Sequence, residues 1–371
     1  MAQSLHIAIS ARALNLPYGG VRECVEGTIR ELLRLGSPHR FTLYYADSRW
    51  LGAHPDAQEV YLHAPHKFLW DHAVLPARLA RDRPDVVWYP HNVSSLGLRL
   101  PSVVTVHDLL YFSVPEFPQR EYAWPDTVYM RLMIPYSLRR ARRVITVSDW
   151  TAHDVKRLLG VPHEKLRTVH HAPGEGFGPQ PAAAKRVGEA YGLHRPFFFY
   201  AGTLSPRKNV RVLVEALGRL RDELPHDLVL TGGPGYIETP LDDLVARYGL
   251  AGRVRRLGLV PRADLAALYS AAEALVFPSR YEGFGIPALE AMACGCPVIC
   301  SNATSLPEVV ADAALTFDPQ DVAALAGHMR AIAGSRALRG RLAAAGLARA
   351  GAFSYTRAAR EVLAVLEEAV A

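Results

Sequence analysis

The chain is poor in cysteine. Four thiols in 371 residues do not build a disulfide framework. Cys294, Cys296 and Cys300 lie close together, but no second Cys or His pair stands beside them to complete a zinc site. Buried, reduced thiols are therefore expected. Long apolar runs are also missing: none approaches the ~20 residues that cross a bilayer. Met1-Ala2-Gln3-Ser4 leads straight into the strand-like Leu5-His6-Ile7-Ala8-Ile9, without a basic or apolar leader. The expected location is cytoplasmic, in solution or at the inner face of the membrane. Charge of one sign barely predominates, with a net +6 and a pI near 9.2. A mildly basic balance favours anionic partners. The densest cluster, Arg139-Arg140-Ala141-Arg142-Arg143, reads first as the basic last turn of a helix. A peripheral contact with an anionic membrane is its alternative reading. A basic stripe with interleaved aromatics is absent, so no nucleic-acid partner is expected.

What remains is globular in character. Half the residues are hydrophobic, 21% are charged and the mean hydropathy is +0.03. A chain of 371 residues exceeds one core of ~150 residues, so two domains are expected. Short β-rich runs recur at 5–9, 41–45, 86–89, 103–106, 144–147 and 166–169. Six more follow at 197–200, 228–230, 254–257, 274–277, 297–300 and 314–317. Most are continuous rather than alternating, as in strands covered on both faces. Helical periodicity lies between many of them, for example at 210–224 and 261–268. This alternation predicts an α/β architecture with parallel sheets and right-handed crossovers. A Pro/Gly/Ala-rich stretch at 172–185 is the expected linker. Ligands of such sheets bind at the carboxyl ends of strands, so residues just after each run are the candidates.

The richest of these is Pro278-Ser279-Arg280-Tyr281-Glu282-Gly283-Phe284-Gly285-Ile286-Pro287-Ala288-Leu289-Glu290. It reads as a strand end, a glycine turn and a helix N-terminus, which is an anion site. Glu282 and Glu290 bracket it, eight positions apart; helical rise would separate them by about 12 Å. Carboxylates accept hydroxyl hydrogen bonds, so the pair could hold a sugar at one end and a ribose at the other. A second segment, Gly202-Thr203-Leu204-Ser205-Pro206-Arg207-Lys208-Asn209, puts two cations on a turn opening a helix. Cations are disfavoured there, so an anionic ligand is expected. His107-Asp108 follows run 103–106, and Gly19-Gly20 follows the first. Thr231-Gly232-Gly233-Pro234-Gly235 follows another; it fails as a dinucleotide fingerprint because Glu238 occupies the third glycine position. It is read as shaping a nucleotide pocket, with Gly233 among the binding residues.

The Glu282–Glu290 spacing, in the context Glu-Gly-Phe-Gly-Ile-Pro-Ala-Leu-Glu-Ala-Met, resembles the signature of the retaining glycosyltransferases of family 4. Pro206-Arg207-Lys208-Asn209, Ser305-Leu306-Pro307-Glu308-Val309, Val104-Thr105-Val106-His107-Asp108-Leu109 and Ile145-Thr146-Val147-Ser148 resemble that family too, in its order. The resemblance implies a GT-B fold, two Rossmann-like doubly wound domains facing a central cleft. The acceptor domain would span 1–175, the donor domain 186–355, and the last helix, 356–371, would return to the first. It further implies that Glu282 meets the donor sugar and Glu290 the ribose. The amides around Phe284, Gly285, Ile286 and Pro287 would approach sugar and diphosphate, and Arg207 and Lys208 would neutralise the leaving group. His107 would lie beside the donor sugar, and the Gly19-Gly20 loop over the diphosphate, with Gly202 also at the donor. Many members carry Arg where this chain has Thr203, so Arg207 is read as its replacement.

The implied reaction moves a hexose from a nucleotide-diphosphate sugar to a glycan or glycolipid hydroxyl. Retention with no obvious carboxylate nucleophile favours front-face attack. No Asp-x-Asp motif occurs, so neither metal nor cofactor is expected; the nucleotide sugar is a substrate. The motif forms are most similar to bacterial mannosyltransferases using GDP-mannose. UDP-glucose, UDP-N-acetylglucosamine and deoxysugar donors stay open, as do a sugar-nucleotide epimerase and a non-catalytic sensor.

Overall fold

The structure, a computed structural model, describes residues 4–16, 19–113, 122–233 and 239–371. The chain divides into two compact units. One comprises Met1–Ser113, Trp124–His171 and Ser354–Ala371; the other is built on Ala172–Phe353.

The strands of the first unit are β1 (His6–Ser10), β2 (Arg40–Tyr45), β3 (Gln58–Tyr61), β4 (Val86–Tyr89), β5 (Ser102–Val106), β6 (Arg143–Thr146) and β7 (Leu166–Thr168). They form one sheet in the order β3-β2-β1-β4-β5-β6-β7, with every pair parallel. Ile7, Ile9, Leu43, Val86 and Val103 are fully buried, because helices cover both faces. The helix Tyr355–Glu368 closes this unit against the helix Gly20–Arg34. A Cβ on Gly27 would come within 2.7 Å of the Tyr355 ring, so only glycine permits the approach. Thr356 Oγ1 donates to Glu31 Oε2 at 2.7 Å, and Ala359, Val362 and Leu366 complete the core.

The second unit carries β8 (Phe197–Ala201), β9 (Asp227–Thr231), β10 (Val254–Gly258), β11 (Ala274–Phe277), β12 (Val298–Ser301) and β13 (Leu315–Phe317). Their order is β10-β9-β8-β11-β12-β13, again all parallel. Both sheets reverse strand order once, between β1 and β4 and between β8 and β11. In open sheets the ligand crevice lies outside the carboxyl ends of the strands at such a switch point.

Every sequence-read run is a strand. One strand, β3, was not foreseen. Its sequence Gln-Glu-Val-Tyr buries only Val60, as an edge strand does, and carries no apolar run. The helix expected over 210–224 spans only Arg211–Arg219; beyond it the chain continues in tight turns, with Leu224 N–H donating to the Leu220 carbonyl at 2.9 Å. Residues 172–185 belong to the second unit and run into the helix Ala183–Tyr191. Among the described residues, no helix is long and apolar enough to cross a membrane.

Candidate active site

In the second unit the loops after β8 and β11 meet at the switch point. Pro206–Lys208 forms a single 3-10 turn, closed by Asn209 at φ +57°. Arg207 and Lys208 therefore do not open a helix as expected; the next helix begins at Arg211. What holds them is Glu282. Lys208 Nζ donates to Glu282 Oε1 at 2.6 Å, and Arg207 Nη1 stands 3.4 Å from the same oxygen. Arg207 Nη1 also donates to the Tyr281 carbonyl at 2.8 Å, and the Lys208 ammonium lies over the Phe277 ring at 5.0 Å. Lys208 and Glu282 are both 8% exposed. Burial alone would raise the Glu282 carboxyl, but Lys208 and then Arg207 outweigh it and hold it below its ordinary value.

Backbone contacts fix this group. Arg280 N–H donates to the Arg207 carbonyl at 3.0 Å, and Glu282 N–H to Thr304 Oγ1 at 3.0 Å. Ser305 Oγ donates to the Glu282 and Phe284 carbonyls at 3.0 and 2.9 Å. Asn209 Nδ2 ties the turn to the Pro278 and Pro319 carbonyls at 3.3 and 2.8 Å. Two cations held on a rigid frame suit an incoming anion.

The glycine turn continues into the helix Ile286–Ala293, capped by Gly285 at φ +111° with Pro287 in its first turn. A side chain at Gly285 would strike Leu306 Cδ2 at 2.5 Å. Phe284 turns inward, edge-on to Phe353 at 5.9 Å, so only its backbone is available to a ligand. Ile286 and Pro287 are half-buried. Glu290 is buried and accepts the Tyr269 hydroxyl at 3.2 Å. The helical-rise spacing does not apply to the two carboxylates, because Glu282 precedes the helix. Gly202, at φ +149°, donates its N–H to the Thr231 carbonyl at 2.9 Å. Gly233 is buried at the end of the neighbouring loop; Pro234, Gly235 and Glu238 lie outside the described residues. Thr203 Oγ1 approaches Ser205 Oγ at 3.5 Å, and the Thr203 carbonyl accepts the Tyr200 hydroxyl at 2.6 Å.

In the first unit, His107 follows β5. Its Nε2 lies 2.9 Å from the Pro90 carbonyl, which can only accept, so Nε2 carries the proton. Its ring stacks on His171 at 5.4 Å, and burial lowers its pKa. Gly19, at φ +115°, caps the helix Gly20–Arg34 with open space around a would-be Cβ.

Beside His107 the structure assembles three residues that the sequence reading missed. Arg12 Nε donates to Asp71 Oδ1 at 2.8 Å, and His91 Nε2 stands 4.0 Å from that oxygen. Among the described residues, Asp71 Oδ2 and both His91 ring nitrogens have no hydrogen-bond partner, although all three atoms are buried. Burial raises the Asp71 carboxyl, only partly offset by Arg12, and depresses His91 well below its ordinary value. His91 follows β4, so the rule that found His107 could have found it. Asp71 lies in a π-helical turn, Trp70–Val74, far from any strand signal. Buried polar atoms left unpaired cost roughly 1–3 kcal/mol each, a cost that ligand hydroxyls would remove.

All four cysteines are buried thiols; burial raises Cys294, Cys296 and Cys300, Cys300 to about 12, which leaves these three inert as nucleophiles at neutral pH.

Residues 185–349 match the profile of the glycosyl transferases group 1, and residues 18–172 that of glycosyltransferase family 4. The chain is 38% identical over 279 residues to O-antigen chain mannosyltransferase B of Escherichia coli, covering 74% of this chain and 72% of that protein. It is 29% identical over 307 residues to the serotype-specific mannosyltransferase WbdA of Escherichia coli, covering 76% of this chain and 36% of that one. Among solved structures, sucrose-phosphate synthase from Thermosynechococcus elongatus superposes with a TM-score of 0.78 at 22% identity, covering 97% of this chain and 98% of that one. Anabaena HepE in complex with UDP-glucose gives 0.76 at 20% identity, covering 98% and 99%. These likenesses show the GT-B fold.

Proposed function

Since the chain belongs to the family 4 glycosyltransferases, we propose that it transfers mannose from GDP-mannose to a glycan or glycolipid hydroxyl with retention of configuration. The observation that carries this reading is the trio Arg207, Lys208 and Glu282 at the switch point of the second sheet. The mannosyltransferase names of the relatives support the sugar.

The donor diphosphate takes its charge compensation from Arg207 and Lys208. Glu282, released in part from the cations as the diphosphate engages them, accepts sugar hydroxyls. Glu290 accepts ribose hydroxyls, beside the Tyr269 ring. As the bond from the anomeric carbon to the diphosphate oxygen breaks, negative charge grows on that oxygen. Preorganised cations stabilise such charge best where water is excluded. The same oxygen takes the acceptor proton on the front face, and the acceptor oxygen bonds to the anomeric carbon on the side the diphosphate leaves. No metal is needed, because two fixed cations supply what a divalent ion would. In the first unit Asp71 and His91, beside His107, receive hydroxyls of the acceptor.

Turnover of GDP-mannose with a mannan oligosaccharide tests the reading. GDP release coupled to an α-linked product is expected, and Lys208→Ala should lower kcat at least ~100-fold, the scale of losing one transition-state charge partner. Near-normal turnover in that variant, or a β-linked product, would refute it.

A further inference from the structure

Among the described residues, six of the 13 exposed large apolar side chains gather on one face of the first unit: Phe68, Leu69, Leu96, Trp124, Val128 and Leu132. The helix Trp124–Arg140 is the centre of the patch. It is apolar on both sides. Thr127, Met133, Ile134, Ser137 and Leu138 face the core, while Trp124, Val128 and Leu132 are 76%, 39% and 67% exposed. Spaced four apart, these three share a face. An exposed apolar stripe backed by a buried one is normally covered. The flanking pieces are tied to the same helix. Lys67 pairs with Asp126, the Phe68 ring lies 6.1 Å from Tyr129, and Gly97 N–H donates to the Tyr136 hydroxyl at 2.9 Å.

Cations rim this apolar face. By helical spacing Arg131 and Arg139 fall on the exposed stripe, and both are exposed. At the end of the helix a cavity of about 120 Å³ is lined by Arg99, Arg140 and Arg142 together with Ser95 and Ser102. The Arg140 guanidinium reaches the Leu98 carbonyl at 3.4 Å, which joins the cavity to the loop carrying Leu96.

We propose that this face docks on an anionic lipid bilayer, with Trp124, Val128 and Leu132 entering the interface and the arginine cavity receiving a lipid phosphate. The charge decides the occupant. A second copy of the chain would set basic rim against basic rim, whereas acidic head groups complement it, and a membrane interface accepts exposed Trp and Leu with arginines beside them. Arginine stems also lie along apolar surface while their heads reach phosphate.

The test is co-sedimentation of the full chain with sucrose-loaded vesicles of phosphatidylcholine containing about 30% phosphatidylglycerol, an anionic lipid, against pure phosphatidylcholine. The chain should sediment with the anionic vesicles only. Trp124→Ser with Leu132→Ser, and separately Arg139→Glu with Arg140→Glu, should each lower partitioning at least about tenfold, with unchanged circular dichroism. Vesicle binding needs no sugar donor, so its outcome is independent of the catalytic reading. Equal partitioning of wild type and variants, equal binding to neutral vesicles, or a dimer in sedimentation velocity that Leu132→Ser splits would each overturn the proposal.

Discussion

Asp71 has one oxygen committed to Arg12 and the other unpartnered among the described residues, in a place where water is nearly excluded. That division of labour gives it a testable signature. Arg12 cancels its charge, so the pair presents neutral hydrogen-bonding capacity suited to sugar hydroxyls rather than to a phosphate. Asp71→Asn keeps the shape and exchanges an acceptor for a donor. It should raise the acceptor KM at least ~10-fold, the value of one hydrogen bond to a charged group, while donor hydrolysis in the absence of acceptor stays near the wild-type rate. Steady-state kinetics with varied acceptor check this. At this scale the sequence disclosed the residues whose neighbours in the chain advertise them. Glu282, Lys208 and His107 each follow a strand, and Glu290 lies on the adjoining helix. It could not disclose that Lys208 is paired with Glu282, 74 positions away. Nor could it disclose Asp71, whose significance comes wholly from Arg12, 59 positions earlier.

The loop after β8 carries both cations, and the loop after β9 packs on it through bare backbone. A Cβ on Gly232, at φ +150°, would lie 2.0 Å from the Gly202 carbonyl oxygen and 2.5 Å from its carbon. No side chain can rotate aside to relieve this contact. Gly232→Ala should therefore cost at least about 2 kcal/mol and weaken donor binding as well, because Gly202 leads into the turn bearing Arg207 and Lys208. Thermal unfolding and nucleotide titration of the variant measure the two effects together. The sequence revealed these strands through their continuous β-branched runs. It hid β3, whose stabilising features include side-chain contacts outside the strand: Glu59 Oε1 accepts the Tyr45 hydroxyl at 3.1 Å and the His54 N–H at 2.7 Å. It also misassigned the Arg207-Lys208 turn to a helix start, because a Pro-led 3-10 turn and a Pro-led helix share their first residues.

For the whole molecule, the two units should respond differently to acid. Burial lowers the pKa of His6, His54, His72, His91, His107 and His171, with His72 reaching about 4. All six lie in the first unit. Below the ordinary value of 6.5 the unfolded chain binds protons that the folded unit refuses, so stability falls as pH drops through that value. All 5 tryptophans, Trp50, Trp70, Trp88, Trp124 and Trp150, belong to the same unit. Melting followed by tryptophan fluorescence should therefore shift to lower temperature between pH 7 and pH 5, more than the transition in total ellipticity. Coincident shifts would deny the asymmetry. The two-unit division follows from chain length and repeated strand–helix alternation, both visible in sequence. The asymmetry in buried histidines is not, because burial depends on packing.

The most direct test of the charge arrangement is calorimetric titration of GDP into wild type and Lys208→Ala, without acceptor. If Arg207 and Lys208 hold the donor diphosphate, wild type binds GDP and the variant binds it at least ~10-fold more weakly, as expected for the loss of one charge-assisted contact. Equal affinity in the two proteins, or no heat from wild type with GDP or UDP, would contradict it.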